Sequence, residues 1–484
     1  MQRILLAGWL LALPLAAQPA RAARAARDWQ QARQTAILDE FKQLLAIPNV
    51  ARVQADMQRN AAFITAMYAR RGVKLEPLTV PGAPPALFGE LPAPGATRTI
   101  LFYAHYDGQP VDAAAWTVTQ PFVPVVRDGR IWARSSSDDK APVMAFAVAL
   151  DALRAASITP RAHLKFFFDG EEEAGSPHIG AIIDQYRARL GADVWIFCDG
   201  PVHQSRRQQV VFGARGSAGM QITVYGPARE LHSGHYGNWS PNPAMMLAQL
   251  LASMRDEETG KVLIKDFYRD TEPLSEAELR AIAEVPNIDA ELKRELGLNR
   301  TEGDGRRLDE LVNQPALNVQ GLASAGVGAA TRNVIPDTAT AALGLRLAKG
   351  DDARRLQDRV IAHIRSRGYH IVEQDPDQET RLRYARICKV TGRAGGYNGV
   401  RFPMDSPVAK LVLSAVEAAH ADVVRLPTLG GSLPIAPIFE RLGAPVILVP
   451  IANHDNNQHG HNENIRLENL WKGIETMAAL LAIE

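Results

Sequence analysis

Cysteine is nearly absent from this chain: Cys198 and Cys388 are the only two in 484 residues. Two thiols can close one bridge at most, so a disulfide-framed scaffold is excluded. Cys198 stands in an apolar run and reads as a buried thiol, with no second Cys or His at finger-like spacing. A surplus of one charge is missing too, since 54 Lys and Arg face 53 Asp and Glu. That balance excludes the basic face or tail of an electrostatic nucleic-acid binder. Heptads, a collagen period and solenoid-length repeats are also lacking. The longest charge-free apolar stretch, Ile4 to Ala17, is too short to span a bilayer.

That stretch follows Arg3 and precedes Ala20-Arg21-Ala22, an A-x-A cleavage pattern. Residues 1–22 therefore read as a secretory signal peptide. The expectation is a secreted or periplasmic protein with no membrane span after cleavage.

A chain of this length exceeds one compact core, and two domains are expected. Amphipathic spacing predicts a helix carrying Ile37, Leu38, Phe41, Leu44 and Leu45, and another from Met57 to Arg71 that stops at Gly72. Apolar runs at Thr99–Ala104, Ala162–Phe168, Val194–Phe197 and Pro445–Val449 read as buried strands, and Pro142–Ala156 as a helix between two of them. Strands alternating with helices predict an α/β domain built on a doubly wound, mostly parallel sheet, whose ligands gather at the carboxyl ends of the strands. Between about 214 and 395 the pattern changes to alternating strands at Met220–Val224 and Ala339–Leu347 and helices at Pro243–Met254 and Asp351–Ser366. This segment reads as an inserted α+β lid or dimerisation domain, with a polar, partly helical insertion at 255–312. The catalytic domain is then 23–213 and 396–484.

Metal-ligating side chains occur in five segments, four of them at or within a few residues of those strand ends. They occur in His105-Tyr106-Asp107, Ser137-Asp138-Asp139-Lys140, Glu171-Glu172-Glu173, Cys198-Asp199-Gly200 and Gly460-His461-Asn462-Glu463. Singly, each has an ordinary reading. His-x-Asp is a surface pair, Asp138-Asp139 a helix cap, the glutamates a solvated face, Asp199-Gly200 a turn and His461 part of a polar loop. Together, in order along one sheet, they describe a two-metal site. Imidazole and carboxylate suit zinc, and paired metals need a bridging carboxylate. His105, Asp138 and Asp199 would serve one ion, and Asp138, Glu173 and His461 the other. Asp107 would fix the His105 tautomer. Glu172, beside a ligand, would move the proton of water.

These segments resemble the co-catalytic dizinc metallopeptidases: carnosinases, non-specific dipeptidases, aminoacylases and desuccinylases. The likeness covers nearly the whole mature chain and is closest to the carnosinase-like branch, on HYDGQPVDAAAW, SSSDDK, Glu172-Glu173 before Ala174-Gly175-Ser176, and His461-Asn462-Glu463. The resemblance implies two zinc ions per subunit, with manganese or cobalt as substitutes, and a cis peptide between Asp138 and Asp139. Leu231-His232-Ser233-Gly234 resembles the motif whose His reaches the partner subunit's active site, which implies a homodimer with His232 acting in trans. Asn333, Arg346 and Gly430-Gly431-Ser432 resemble substrate-contacting positions, Arg346 and the glycine loop being suited to a carboxylate. The chain departs from the family's usual residues at Gly108, where Val is typical, at Ser135, Ala141 and Asn238, where Gly is usual, and at Leu429, where an acid is common.

The expected activity is hydrolysis of an amide in dipeptides or short peptides with a free C-terminal carboxylate. An N-acyl-amino-acid deacylase uses the same metal residues and stays open. A secreted binding protein that lost catalysis is the third reading.

Overall fold

The computed structural model describes residues 17–392 and 396–483. The apolar leader stretch, up to its last residue, lies outside them. Among the described residues no helix is long and apolar enough to cross a membrane. The described residues fold as two units, one within residues 1–210, 403–424 and 441–484, the other within 211–402 and 425–440. Segment 425–440, expected with the catalytic domain, belongs to the second unit.

In the first unit the sheet order runs Leu75–Leu78, Ala86–Leu91, His163–Asp169, Thr99–His105, Val194–Phe197, Val446–Leu448, with two short strands beyond at the unit boundary. The last four of the six run parallel to one another, and the hairpin Leu75–Leu91 adds an antiparallel edge. Every residue of Val194–Phe197 is buried, as a two-sided parallel strand requires. Phe102, Phe166 and Phe146 cluster with centroids 5.0–5.8 Å apart, and each such ring withdrawn from water contributes about 1.5–3 kcal/mol.

Helix Ala17–Gln31 packs on helices Lys140–Ala155 and Leu467–Leu481. It buries Ala22, Ala23 and Ala26 and pairs Arg27 with Glu475 at 2.5 Å. The Ala20-Arg21-Ala22 pattern falls within this helix.

In the second unit a sheet of five strands runs Ala316–Ala323, Thr338–Leu347, Gly216–Tyr225, Ile387–Thr391, His370–Val372, antiparallel except for the last pair. Thr338–Leu347 alternates buried and half-buried residues along its length, as a sheet with one covered face should. Its apolar face meets Leu247 and Leu250 of helix Pro243–Ala252 and Leu356, Val360 and Ile364 of helix Ala353–Ser366. Asn242 and Asp352 cap those helices through their side chains.

Candidate metal centre

Parallel register assembles the site in the first unit. His105 pairs with Asp169 and Tyr103 with Phe197, so His105, the turn after Asp169, and Asp199 emerge side by side at the carboxyl edge. Beyond Val446–Leu448 the chain runs beside Pro201, and Val202 N–H donates to Ala452 O at 2.7 Å. That carries the loop up to residue 463 to the same edge.

Two ligand groups result, His105 with Glu172 and Asp199, and Asp138 with Glu173 and His459. Within each, the donor atoms lie within 4.8 Å of one another. The carboxylate of Asp138 faces both, with Oδ1 3.0 Å from His105 Nε2 and Oδ2 3.3 Å from His459 Nε2. Glu173 Oε2 stands 3.2 Å from His459 Nε2. The Asp138–Asp139 peptide is cis.

One expected ligand is corrected. His461 is exposed and belongs to neither group; His459 takes its place. The loop explains the shift. Asn462 accepts from the Thr117 and Val118 N–H groups at 3.0 Å, and buried Glu463 grips the segment 134–138. His459 and Asn462 have φ of 63° and 57°, and these left-handed turns on both sides of Gly460 bring His459 over Asp138 and Glu173. The segment His459-Gly460-His461-Asn462-Glu463 offers two imidazoles, and the distance back from the anchoring Glu463 is the signal that separates them. Glu172, expected outside the ligand set, has its carboxylate 4.0 Å from His105 Nε2 within the first group.

Asp107 organises the inner side. Its Oδ1 lies 3.2 Å from His105 Nδ1, and its two oxygens accept from the Glu172 and Glu173 N–H groups at 3.0 and 3.1 Å. One carboxylate therefore sets the His105 ring and the turn that bears the glutamates. Asp169 fixes the base of that turn by accepting from Glu171 N–H and the Ser176 hydroxyl. Lys140, fully buried, donates from Nζ to Leu44 O and Ile47 O at 3.0 Å.

The electrostatics fit divalent cations. Burial pushes the Asp199 carboxyl up to about 7 and the Glu173 carboxyl up to about 8, and raises Glu172 and Asp139 as well. Burial opposes a charge on His105, yet Asp107 and Asp138 lift its pKa well above the ordinary range. Hydrogen bonding to Asp138 lifts His459 to about 9. The acids thus hold protons that bound cations would displace. Asp199 Oδ2 and Asp139 Oδ1 are buried without a hydrogen-bond partner among the described residues. Imidazole and carboxylate donors in this arrangement accept zinc, and manganese or cobalt on the same ligands.

The departures have local reasons. Ser135 takes φ of 60° and Asn238 φ of 63°, the left-handed region that glycine enters freely and Asn more readily than most residues. Leu429 N–H donates to Gly213 O at 2.9 Å and so pins the glycine loop to the strand edge by its backbone.

The remaining expected residues lie in the second unit. His232 is exposed and its Nδ1 accepts from Gly234 N–H at 3.1 Å, which leaves the proton of the neutral ring on Nε2. Asn333 O accepts from Ser233 N–H at 3.0 Å and so borders the same corner. Arg346 Nη1 donates to Ser432 Oγ at 2.5 Å, joining the arginine to the loop Gly430-Gly431-Ser432. Arg215, unnoticed in the sequence, donates to Gln314 O at 3.0 Å; burial, then the charge of Arg346, pushes its guanidinium down to about 10.

A profile for peptidase family M20/M25/M40 matches residues 101–483. The chain belongs to that family. It is a metallopeptidase. Among its relatives, the human Beta-Ala-His dipeptidase is 26% identical over 403 residues, 82% of this chain and 76% of the relative. The Cys-Gly metallodipeptidase of Saccharomyces cerevisiae is 26% identical over 422 residues, 85% and 84%. In fold, the M20 family metallo-carboxypeptidase Sso-CP2 of Sulfolobus solfataricus matches with a TM-score of 0.78 at 24% identity, covering 92% of this chain and 98% of that one. The M20 fold thus accounts for the parallel sheet, the inserted unit and the grouping of ligands at the sheet's carboxyl edge.

Proposed function

We propose that this M20 peptidase is an exported, homodimeric dizinc dipeptidase that cleaves dipeptides or short peptides bearing a free C-terminal carboxylate. The observation that carries the reading is the pair of ligand groups with the Asp138 carboxylate facing both, and Glu172 held in place by the grip of Asp107 on its turn. When bound, zinc supplies a Lewis acid for the scissile carbonyl and makes water more acidic. Glu172 takes the proton of the attacking water as the C–O bond forms, and delivers it to the amine nitrogen as the C–N bond breaks. Its burial raises the carboxyl above the ordinary range, which makes it a better acceptor for the proton of water than an exposed glutamate. His232, with Nε2–H available, donates to the carbonyl oxygen as charge develops there, acting on the partner subunit. Arg346 and the Gly430-Gly431-Ser432 backbone hold the substrate carboxylate.

The names of the human and yeast relatives, a Beta-Ala-His and a Cys-Gly dipeptidase, support dipeptides as the substrate class. A deacylase of N-acyl amino acids breaks the same bond; the long insertion at 255–312 favours peptides. An inactive binding protein would lack a ligand or base, and here all are present. Strand Ala316–Ala323 supports the dimer, being a sheet edge that exposes Val319 and Leu322, 47% and 61% accessible.

The test is hydrolysis by metal-stripped, zinc-reloaded protein on free dipeptides and the matching N-acetyl amino acids. Zinc-dependent cleavage of the dipeptides, lost in Glu172→Gln while zinc is retained, is expected. Cleavage of the acyl compounds alone would assign a deacylase.

A further inference from the structure

We propose that Gln109 is a positioning residue for the outer ligand group, holding the Glu173 carboxylate for a cation without bringing a charge of its own. The proposal rests on the dizinc reading above. Gln109 follows Asp107 by two residues, and its Nε2 donates to Glu173 Oε2 at 2.7 Å and approaches Glu173 O at 3.4 Å. Asp107 already ties the two loops together by accepting from the Glu173 N–H at 3.1 Å. Gln109 repeats that tie at the side chain, so both the backbone and the carboxylate of Glu173 are fixed from one loop. Gln458 makes a looser contact of the same kind, 3.4 Å from its Nε2 to Asp138 Oδ2. Two of the three outer ligands therefore have a glutamine amide on a carboxylate oxygen.

The chemistry favours an amide at these places. A lysine or arginine would donate as well, but its charge would compensate the carboxylate and repel an incoming divalent ion. An amide donor adds no positive charge and removes only rotational freedom. The free carboxylate is then already ordered when a cation arrives, and that ordering need not be lost from the binding free energy. Among the described residues no such amide contacts the inner group, where Asp107 lies beside His105 and both are buried.

Metal-free wild type, Gln109→Ala and Gln109→Lys would be titrated with Co(II) alone. The readouts are calorimetric affinity and the visible absorption of the bound ion, with circular dichroism to check the fold. Wild type is expected to bind two equivalents. Both variants should bind the first as wild type does and the second about 10- to 100-fold more weakly, with a changed absorption band for that equivalent. A Gln109→Ala protein that binds the second equivalent at wild-type affinity with an unchanged band would overturn the positioning role. Normal binding by Gln109→Lys, with Gln109→Ala impaired, would overturn the argument from charge. A wild type that takes up one equivalent would instead overturn the dizinc reading itself, and this proposal with it.

Discussion

Gly108 stands where a β-carbon would lie 2.3 Å from the Ser135 hydroxyl oxygen. Asn49 fixes both partners. Its Nδ2 donates to Ser135 Oγ at 2.8 Å, and its carbonyl accepts from Gly108 N–H at 2.9 Å. The hydroxyl fills the space that the missing side chain leaves, immediately behind His105, Asp107 and Asp138. Gly108→Val alone should overpack the site and cost about 1–3 kcal/mol. Ser135→Gly alone should cost about 1 kcal/mol for the lost bond to Asn49. The double variant should be more stable than the sum of the two losses by about 1–2 kcal/mol. Urea unfolding of the four proteins measures that coupling, and simple additivity would sink the idea.

His459 and His461 make opposite predictions. His459→Ala should lose one of the two equivalents of bound metal and nearly all turnover, because its Nε2 faces both Asp138 and Glu173. His461→Ala should keep both, since its side chain lies in solvent and in neither ligand group. Metal analysis of the two purified variants separates them. Loss of metal in the His461 variant would restore the sequence assignment.

That pair also marks where sequence reasoning stopped. Apolar runs ending in a ligand are visible in the chain because a buried parallel strand must be apolar throughout while its last residue faces the site. His105, the Glu172-Glu173 pair and Asp199 were legible for that reason. The closing ligand sits in a loop with no period, and its direction depends on left-handed residues and on what Asn462 and Glu463 grip. Contacts between distant segments, such as Gln109 with Glu173, leave no periodic trace. The placement of 425–440 was equally hidden, because the backbone pairing of Leu429 with the Gly213–Arg215 edge is a tertiary choice.

Glu463 is the anchor of the bridging segment. It is fully buried, and its oxygens accept from Arg134 Nη1, from the N–H groups of Ser135, Ser137 and Asp138, and from the Ser137 hydroxyl, at 2.7–3.1 Å. Glu463→Ala would strand the Arg134 guanidinium, itself 2% exposed, and leave three N–H groups unpaired. A loss of about 3–5 kcal/mol is expected from the broken buried pair. Thermal and urea unfolding check this. A loss under about 1 kcal/mol would mean that water replaces the carboxylate.

The trans role of His232 has a mixing test. Glu172→Gln and His232→Ala should each be inactive as homodimers. A mixed dimer regains one complete site, in which the His232→Ala subunit keeps Glu172 and receives His232 from its partner. Random reassortment of equal amounts should restore about a quarter of wild-type activity per chain. Mixtures that stay inactive after subunit exchange, shown by tagged pull-down, would place His232 in its own subunit's chemistry or in none.

His420 should make stability fall in mild acid. Its Nε2 lies 2.7 Å from Thr476 Oγ1, whose own hydroxyl donates to Lys472 O, so the imidazole supplies the proton to Thr476. Burial, then the charges of Lys472 and Arg27, push its pKa down to about 4. A depressed histidine is held neutral by the fold. Above the unfolded value near 6.5 both states are neutral, and the contribution is complete. Below it the unfolded chain takes up a proton that the folded chain refuses until about pH 4, so stability drops through that window. At pH 5 the loss is about 2 kcal/mol. His420→Gln, which keeps a donor but cannot titrate, should cost about 1 kcal/mol at pH 7.5. The same variant should equal or exceed wild-type stability at pH 5. The other titrating groups are common to both proteins and cancel in the difference. Urea unfolding of the pair at the two pH values decides it, and a difference that does not change with pH would show that the buried imidazole carries no such linkage.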